Sequence, residues 1–222
     1  MPKVGVCLSG CGFLDGAEII ESVATLYHLD QAGADVLAMA PNIDQVHVVN
    51  HLTGDAVEGA TRNVLEEAAR IVRGDIRDIA EVTAEDFDAL IFPGGYGAAK
   101  NLSTFAFDGP DCQVNGEVHR LVREIIAANK PLGVICIAPA MLAKVLEGTG
   151  VNTQLTIGND PQTAQAIEEM GTSHVACGVT KHFTDRENKI VSTPAYMLAG
   201  RIGEAWAGIE GLVKEVLALI DA

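Results

Sequence analysis

The chain has 222 residues, of which 48% are hydrophobic and 20% charged, with a net charge of −15 at pH 7. That supplies enough apolar material for a sizeable core and excludes a disordered chain. An acidic surface repels phosphate backbones, so no nucleic-acid partner is expected.

No apolar run is long enough to span a bilayer, and Met1-Pro2-Lys3 leads directly into Val4–Leu8 without a signal-peptide pattern. A cytoplasmic protein without membrane contact is therefore expected. The five cysteines, Cys7, Cys11, Cys112, Cys136 and Cys177, are odd in number and irregularly spaced. That pattern suits reduced thiols rather than a disulfide framework. Cys7-x-x-x-Cys11 has no second pair of ligands nearby, so no metal site is expected.

In chain order, Lys3–Leu8 is apolar on nearly every residue, as in a strand covered on both faces. Ser9–Gly12 breaks it. A helix is predicted from about Ala17 to Gln31, with Ile19, Val23, Leu26 and Tyr27 at helical spacing and Gly33 closing it. Asp35–Ala40 reads as a second strand and Gln45–Val49 as a short third. His51–Asp55 reads as a turn, and a helix spans about Val64 to Val72. Ile76–Val82 is ambiguous, and Thr83-x-x-Asp86 resembles a capped turn. Ala89–Phe92 is a buried strand ending at Pro93-Gly94-Gly95. A loop follows from Ala98 to about Asn115, then an amphipathic helix over Gly116–Ala128.

Leu132–Ile135 is the next strand, and Pro139 sits in the first turn of the helix after it. Asp160-Pro161 opens another helix. Short strands are expected at 174–177, 181–184 and 189–192, and a last helix over about Met197–Ile220. Strands alternate with helices and no linker divides them. The expected architecture is one α/β domain over residues 1–222, a doubly wound sandwich.

Cys136 ends the strand Gly133-Val134-Ile135 and precedes a helix start. Parallel sheets bind ligands at the carboxyl ends of their strands, and a nucleophile held at such an elbow is exposed there. The helix N-terminus behind it is expected to lower the thiol pKa. The alternative is an inert core cysteine. Glu18, just after the first strand, reads either as the last member of an Asp15-x-x-Glu18 capping box or as a carboxyl beside the thiol. Gly94 and Gly95 allow backbone N–H groups to face a ligand, and with the N–H after Cys136 they could form an oxyanion hole. The six histidines are scattered, with no metal spacing.

Three segments together are specific. Gly16-Ala17-Glu18, Phe92-Pro93-Gly94-Gly95 with Ala98–Leu102, and Ile135-Cys136-Ile137-Ala138-Pro139 resemble the PfpI-like class I glutamine amidotransferase superfamily. Leu8–Gly12, Asn50–Gly54 and Ile190–Leu198 look like its bacterial ElbB subfamily. The resemblance implies a flavodoxin-like sandwich with a mostly parallel central sheet, a homodimer, and no cofactor or metal. It further implies a glyoxalase-type conversion of glyoxal or methylglyoxal-like 2-oxoaldehydes to hydroxy acids, with a loose link to isoprenoid biosynthesis. Carried over by motif, Cys136 is the nucleophile, Glu18 the acid/base, Gly95 and Ile137 the oxyanion donors, and Gly94 a substrate contact. The superfamily's amidotransferases add a histidine late in the chain, where this sequence reads Ser192-Thr193-Pro194-Ala195. A redox-sensing or stress-binding protein using an oxidisable Cys136 is the alternative from another class, and a glutaminase is a third.

Overall fold

The computed structural model describes residues 1–222. In chain order the elements are β1 (Lys3–Cys7), α1 (Ile19–Gln31), β2 (Asp35–Ala40), α2 (Val64–Ala69), β3 (Arg77–Asp78) and β4 (Ala89–Phe92). Then come α3 (Tyr96–Lys100), α4 (Phe105–Asp108), α5 (Gly116–Ala127), β5 (Leu132–Ile135) and α6 (Ala138–Leu146). The chain finishes with β6 (Gln154–Leu155), α7 (Pro161–Glu169), β7 (Ser173–His174), β8 (Phe183–Asp185), β9 (Ile190–Thr193) and α8 (Ile202–Ala218).

Seven strands form one sheet in the order β3-β2-β1-β4-β5-β9-β8, parallel except for β8 against β9. The expected doubly wound α/β sandwich is therefore present. The strands are short and apolar because both faces are covered. In β4, Ala89 and Ile91 point to one core and Leu90 and Phe92 to the other. Leu121, Ile125, Met141 and Leu142 from α5 and α6 fill the second, while Leu29, Ile209, Leu212 and Val216 from α1 and α8 fill the first. Chain order runs outward from β1 to β3 on one side and from β4 to β9 on the other. The crevice at such a reversal, beyond the strand ends, is where ligands bind in this architecture.

The capped turn at Thr83–Asp86 and the Asp160 cap on α7 form as read from sequence. Three expectations need correction. Gln45–Val49 is held by isolated bridges, Asp44 to Asn63 and Val49 to Ala56, because the N–H groups of Val46 and Val49 go to the side chains of Asn101 and Asp15 and interrupt any ladder. The loop after Ala98 contains the short helices α3 and α4, which are too brief to show periodicity. The apolar stripe of α1 faces outward: Ile19, Val23 and Tyr27 are exposed, whereas Glu21, Ser22, Ala24, Thr25 and Leu29 are buried. Ser22 and Thr25 donate to carbonyls one turn back, Glu18 O at 2.7 Å and Glu21 O at 2.8 Å, so a polar face can be buried without loss.

Between α6 and β9 the chain leaves the main sheet. There β6 and β7 make a small parallel pair of their own, with α7 as their crossover. That helix packs against α6 and against the turn Gly109–Asp111 that follows α4.

Candidate active site

The carboxyl ends of β1, β4, β5 and β9 converge on Cys136. Its amide donates to Thr193 O at 2.9 Å, continuing the β5–β9 ladder, and then the chain turns sharply with φ 61° at Cys136. A left-handed backbone at a non-glycine residue costs about 1–3 kcal/mol and persists only where its surroundings fix it. The strained strand-to-helix elbow expected from the sequence is thus formed. Pro139 lies in the first turn of α6, where its missing N–H removes nothing.

Glu18 and Glu21 divide the roles that the sequence reading assigned to Glu18 alone. Glu18 is the N-cap of α1, its Oε2 accepting the Glu21 N–H at 2.6 Å and its own N–H donating to Gly94 O at 2.9 Å. The expected box from Asp15 lies three residues too early: Asp15 accepts the Val49 N–H at 2.7 Å instead. One turn on from the cap, Glu21 is fully buried beside Cys136: a Cβ on Gly94 would lie 2.8 Å from Glu21 Oε2 and 2.5 Å from Cys136 Cβ. Its Oε2 accepts the Gly94 N–H at 2.8 Å and its Oε1 the Tyr196 N–H at 3.2 Å. The group against the thiol is therefore Glu21. Glu18, half-buried, faces the adjoining cavity.

Gly94 is also relocated. It contacts Glu21 and Cys136 and does not line the cavity, so it shapes the pair instead of meeting a ligand. A Cβ there would lie 2.5 Å from Cys136 Cβ and 2.9 Å from Ile135 O. Gly95 has φ 92°, and a Cβ on it would meet Glu18 N at 2.4 Å. Its N–H and that of Ile137 favour the anionic form of the Cys136 sulfur. Ala195, at φ 42° past the end of β9, turns the chain so that the Tyr196 N–H reaches Glu21.

Burial sets the protonation of the pair. It raises Glu21 to about 8, with the neighbouring Glu18 charge adding to the effect and the N–H groups of Tyr196 and Gly94 opposing it. Burial likewise pushes the Cys136 thiol well up, reinforced by the charge on Glu21 and opposed by the Gly95 and Ile137 N–H groups. The expectation that the helix start lowers the thiol pKa is corrected, because desolvation of a buried anion outweighs the few N–H donors. At neutral pH the resting pair is a thiol beside a carboxylic acid. Glu18 is raised as well, by burial, against the pull of the Glu21 and Ile20 N–H groups.

A cavity of about 710 Å³ opens over the thiol. Cys136, Ile137, Gly95, Glu18 and Tyr196 line it beside Phe13, Tyr96 and Met197, with residues of α4, its following turn and α7 completing the wall. No histidine lines it. His51 is occupied elsewhere, accepting the Leu14 N–H at its Nε2 and contacting Val49 O through Nδ1. All five cysteines are free, and no group of three or more His, Cys, Asp or Glu side chains is arranged to hold a metal ion. Glu21 and Tyr196 were missed from sequence. The one available signal for Glu21 is an acid placed on the helix face that turns out to be buried.

Residues 11–182 match the DJ-1/PfpI family. The chain is 46% identical to the rat "ES1 protein homolog, mitochondrial", covering 98% of this chain and 84% of the relative. It is equally 46% identical to the human "Glutamine amidotransferase-like class 1 domain-containing protein 3, mitochondrial", covering 98% and 83%. Among solved structures, an Ehrlichia chaffeensis "isoprenoid biosynthesis protein with amidotransferase-like domain" superposes with a TM-score of 0.92 at 36% identity, covering 99% of both chains. Glyoxalase III of Candida albicans shares the fold, with a TM-score of 0.60 at 11% identity over 100% of this chain and 97% of that one.

Proposed function

The chain belongs to the DJ-1/PfpI family, and from that premise we propose that it is a cofactor-independent glyoxalase-type enzyme acting on 2-oxoaldehydes through Cys136. The observation that carries the reading is the Cys136 thiol on a left-handed elbow in the cavity wall, with the buried Glu21 carboxyl beside it. The motifs after β1, around Asn50–Gly54 and at Ile190–Leu198 support an ElbB-like member of the family. The absence of a histidine from the cavity lining argues against the glutaminase reading, whose general base it would be.

In the proposed reaction the Cys136 sulfur adds to the aldehyde carbon of R–CO–CHO. The C–S bond forms, the C=O π bond breaks, and the oxygen accepts N–H donation before taking a proton. The reactive form is the pair that has already lost one proton, in which the Glu21 carboxylate receives the proton the thiol gives up. Glu18, which lines the cavity, moves the proton of the former aldehyde carbon to the neighbouring carbon, and the hemithioacetal becomes a thioester of the 2-hydroxy acid. Water then cleaves the C–S bond, releasing R–CHOH–COOH and restoring the thiol. The net change is addition of one water, with oxidation at one carbon balanced by reduction at the next, so no external oxidant enters.

The test is conversion of methylglyoxal to lactate by the wild type and by Cys136→Ser. Loss of turnover by a factor of at least about 10³ is expected, since the nucleophile is removed. Turnover that survives the serine substitution would sink the reading. Peroxide-driven oxidation of Cys136 in a wild type that turns over no 2-oxoaldehyde would favour the redox-sensing alternative.

A two-fold homodimer is part of the same proposal, with the exposed stripe Ile19, Val23 and Tyr27 on α1 as apolar surface available for it to cover. Light scattering at micromolar concentration is expected to give twice the chain mass of 23.3 kDa. A monomer under those conditions would contradict this part.

A further inference from the structure

The cavity over Cys136 is far larger than glyoxal or methylglyoxal needs. A volume of about 710 Å³ lies within the range of sites that enclose ligands of many heavy atoms. Its chemistry is also uneven. Phe13, Tyr96, Phe105, Pro110, Tyr196 and Met197 give it an aromatic and apolar wall. No lysine, arginine or histidine lines it, and its one carboxyl is that of Glu18. Lys100 donates its Nζ to Leu14 O at 3.1 Å and lies 4.9 Å from the Tyr96 ring centre, and Lys144 donates its Nζ to Pro110 O at 2.8 Å and pairs with Glu147 at 2.7 Å. Both are committed to the protein and leave no counter-ion for a ligand carboxylate or phosphate.

Resting on the assignment of Cys136 as the nucleophile, we infer that the site takes an uncharged carbonyl compound bearing an aryl or long alkyl group. The preferred 2-oxoaldehydes are of the phenylglyoxal type rather than glyoxal itself. The carbonyl carbon meets Cys136 under the Gly95 and Ile137 N–H groups. The apolar substituent lies against the far wall formed by Phe105, Pro110 and Ala166, where α7 packs on the turn after α4. Burying a phenyl ring contributes about 1.5–3 kcal/mol, so a preference of roughly tenfold or more is expected. An anionic substituent meets the opposite situation: desolvation without a cation, and Glu18 of like charge.

Two measurements test this separately from the proposed reaction. In the first, Cys136 is alkylated with iodoacetate, iodoacetamide and N-phenyl-iodoacetamide, and modification is followed by peptide mass spectrometry. The partly exposed Cys177 on the same chain reports the intrinsic reactivity of each reagent. Relative to Cys177, Cys136 is expected to favour the phenyl reagent over iodoacetamide by about tenfold and to disfavour iodoacetate. Ala166→Phe, which fills the far wall, is expected to abolish the phenyl preference. Equal ratios at the two cysteines, a preference for iodoacetate, or no modification of Cys136 would overturn the inference. In the second, kcat/KM for phenylglyoxal and for glyoxal are compared, each divided by its rate with a free thiol. A ratio near one contradicts the inference while leaving the glyoxalase reading intact. The expected alkylation pattern without turnover of either compound upholds the ligand class and removes the glyoxalase reading.

Discussion

Glu21→Gln is expected to lower kcat/KM for methylglyoxal by about 10²–10⁴-fold, the usual range for a positioned proton acceptor. The thiol and the carboxylic acid lose their first proton together, and the pair titrates as a unit. Wild-type kcat/KM should therefore rise with pH through about 8, the value to which burial raises Glu21. An amide cannot take the thiol proton, so in Glu21→Gln that rise should move to higher pH. Stability changes in the opposite sense. The carboxyl has an ordinary value of 4.5 and a folded value of about 8, so the native state holds a proton that the unfolded chain has released between those limits. The contribution of Glu21 to stability is thus fully present below about pH 4.5 and is lost as pH rises through 8.

The glutamine variant lacks this dependence. It also loses one of the two acceptors that serve the Gly94 and Tyr196 N–H groups. Its melting temperature should lie below that of the wild type at pH 5, and the gap should narrow or invert by pH 9. Glu18→Gln supplies the contrast. Glutamine can still cap α1, so melting should change little while turnover falls. A Glu21→Gln enzyme with wild-type turnover and an unmoved pH profile would remove the carboxyl from the mechanism.

Gly94→Ala is expected to damage both the stability of the fold and the reacting pair. The added Cβ would stand 2.5 Å from Cys136 Cβ, 2.8 Å from Glu21 Oε2 and 2.9 Å from Ile135 O. None of the three can yield: one belongs to the elbow, one is pinned by two backbone N–H groups, and one is strand backbone. Overpacking of this kind costs about 1–3 kcal/mol, or a fall of roughly 2–12 °C in melting temperature for a chain of this size. The relief available is movement of the elbow away from Glu21, which would break the thiol–carboxyl contact. Loss of turnover should therefore exceed what the remaining folded fraction explains. Gly33→Ala is the control. That glycine has a positive φ, 72°, which Gly94 lacks, and no atom lies within 4 Å of its added Cβ, so it tests backbone strain without crowding. A Gly94→Ala protein with normal melting and normal turnover would contradict the packing described for the pair.

The strands were legible because burial on both faces leaves continuous apolar runs. Asp35–Ala40, Ala89–Phe92 and Leu132–Ile135 were read with the bounds the structure shows. Cys136 was legible for a related reason: an apolar strand running into a helix start marks the carboxyl edge of the sheet. Glu21 was not. Its partners are the N–H groups of Gly94 and Tyr196, 73 and 175 residues away, and no local pattern announces them. The phase of α1 misled in the same direction, since a count of apolar residues selects Ile19, Val23 and Tyr27, which face outward. A helix that buries polar side chains satisfied by its own carbonyls and by distant strand ends inverts the usual signal. The capping pattern was sensed but placed on Asp15, because Asp15-x-x-Glu18 and Glu18-x-x-Glu21 have the same spacing and only the fold distinguishes them.

The excursion between α6 and β9 separates two kinds of heredity in this protein. The sulfur comes from the end of β5 in the central sheet and its two carboxyl partners from the start of α1, whereas part of the far wall of the cavity comes from α7, carried on the small β6–β7 pair outside that sheet. Mutations in α7 can therefore reshape what fits without disturbing how the sulfur is presented. Directed evolution of new substrate ranges should draw its gains from positions such as Gln162, Thr163 and Ala166, and a graft of this single crossover is the smallest exchange that could transplant a specificity between members of the family.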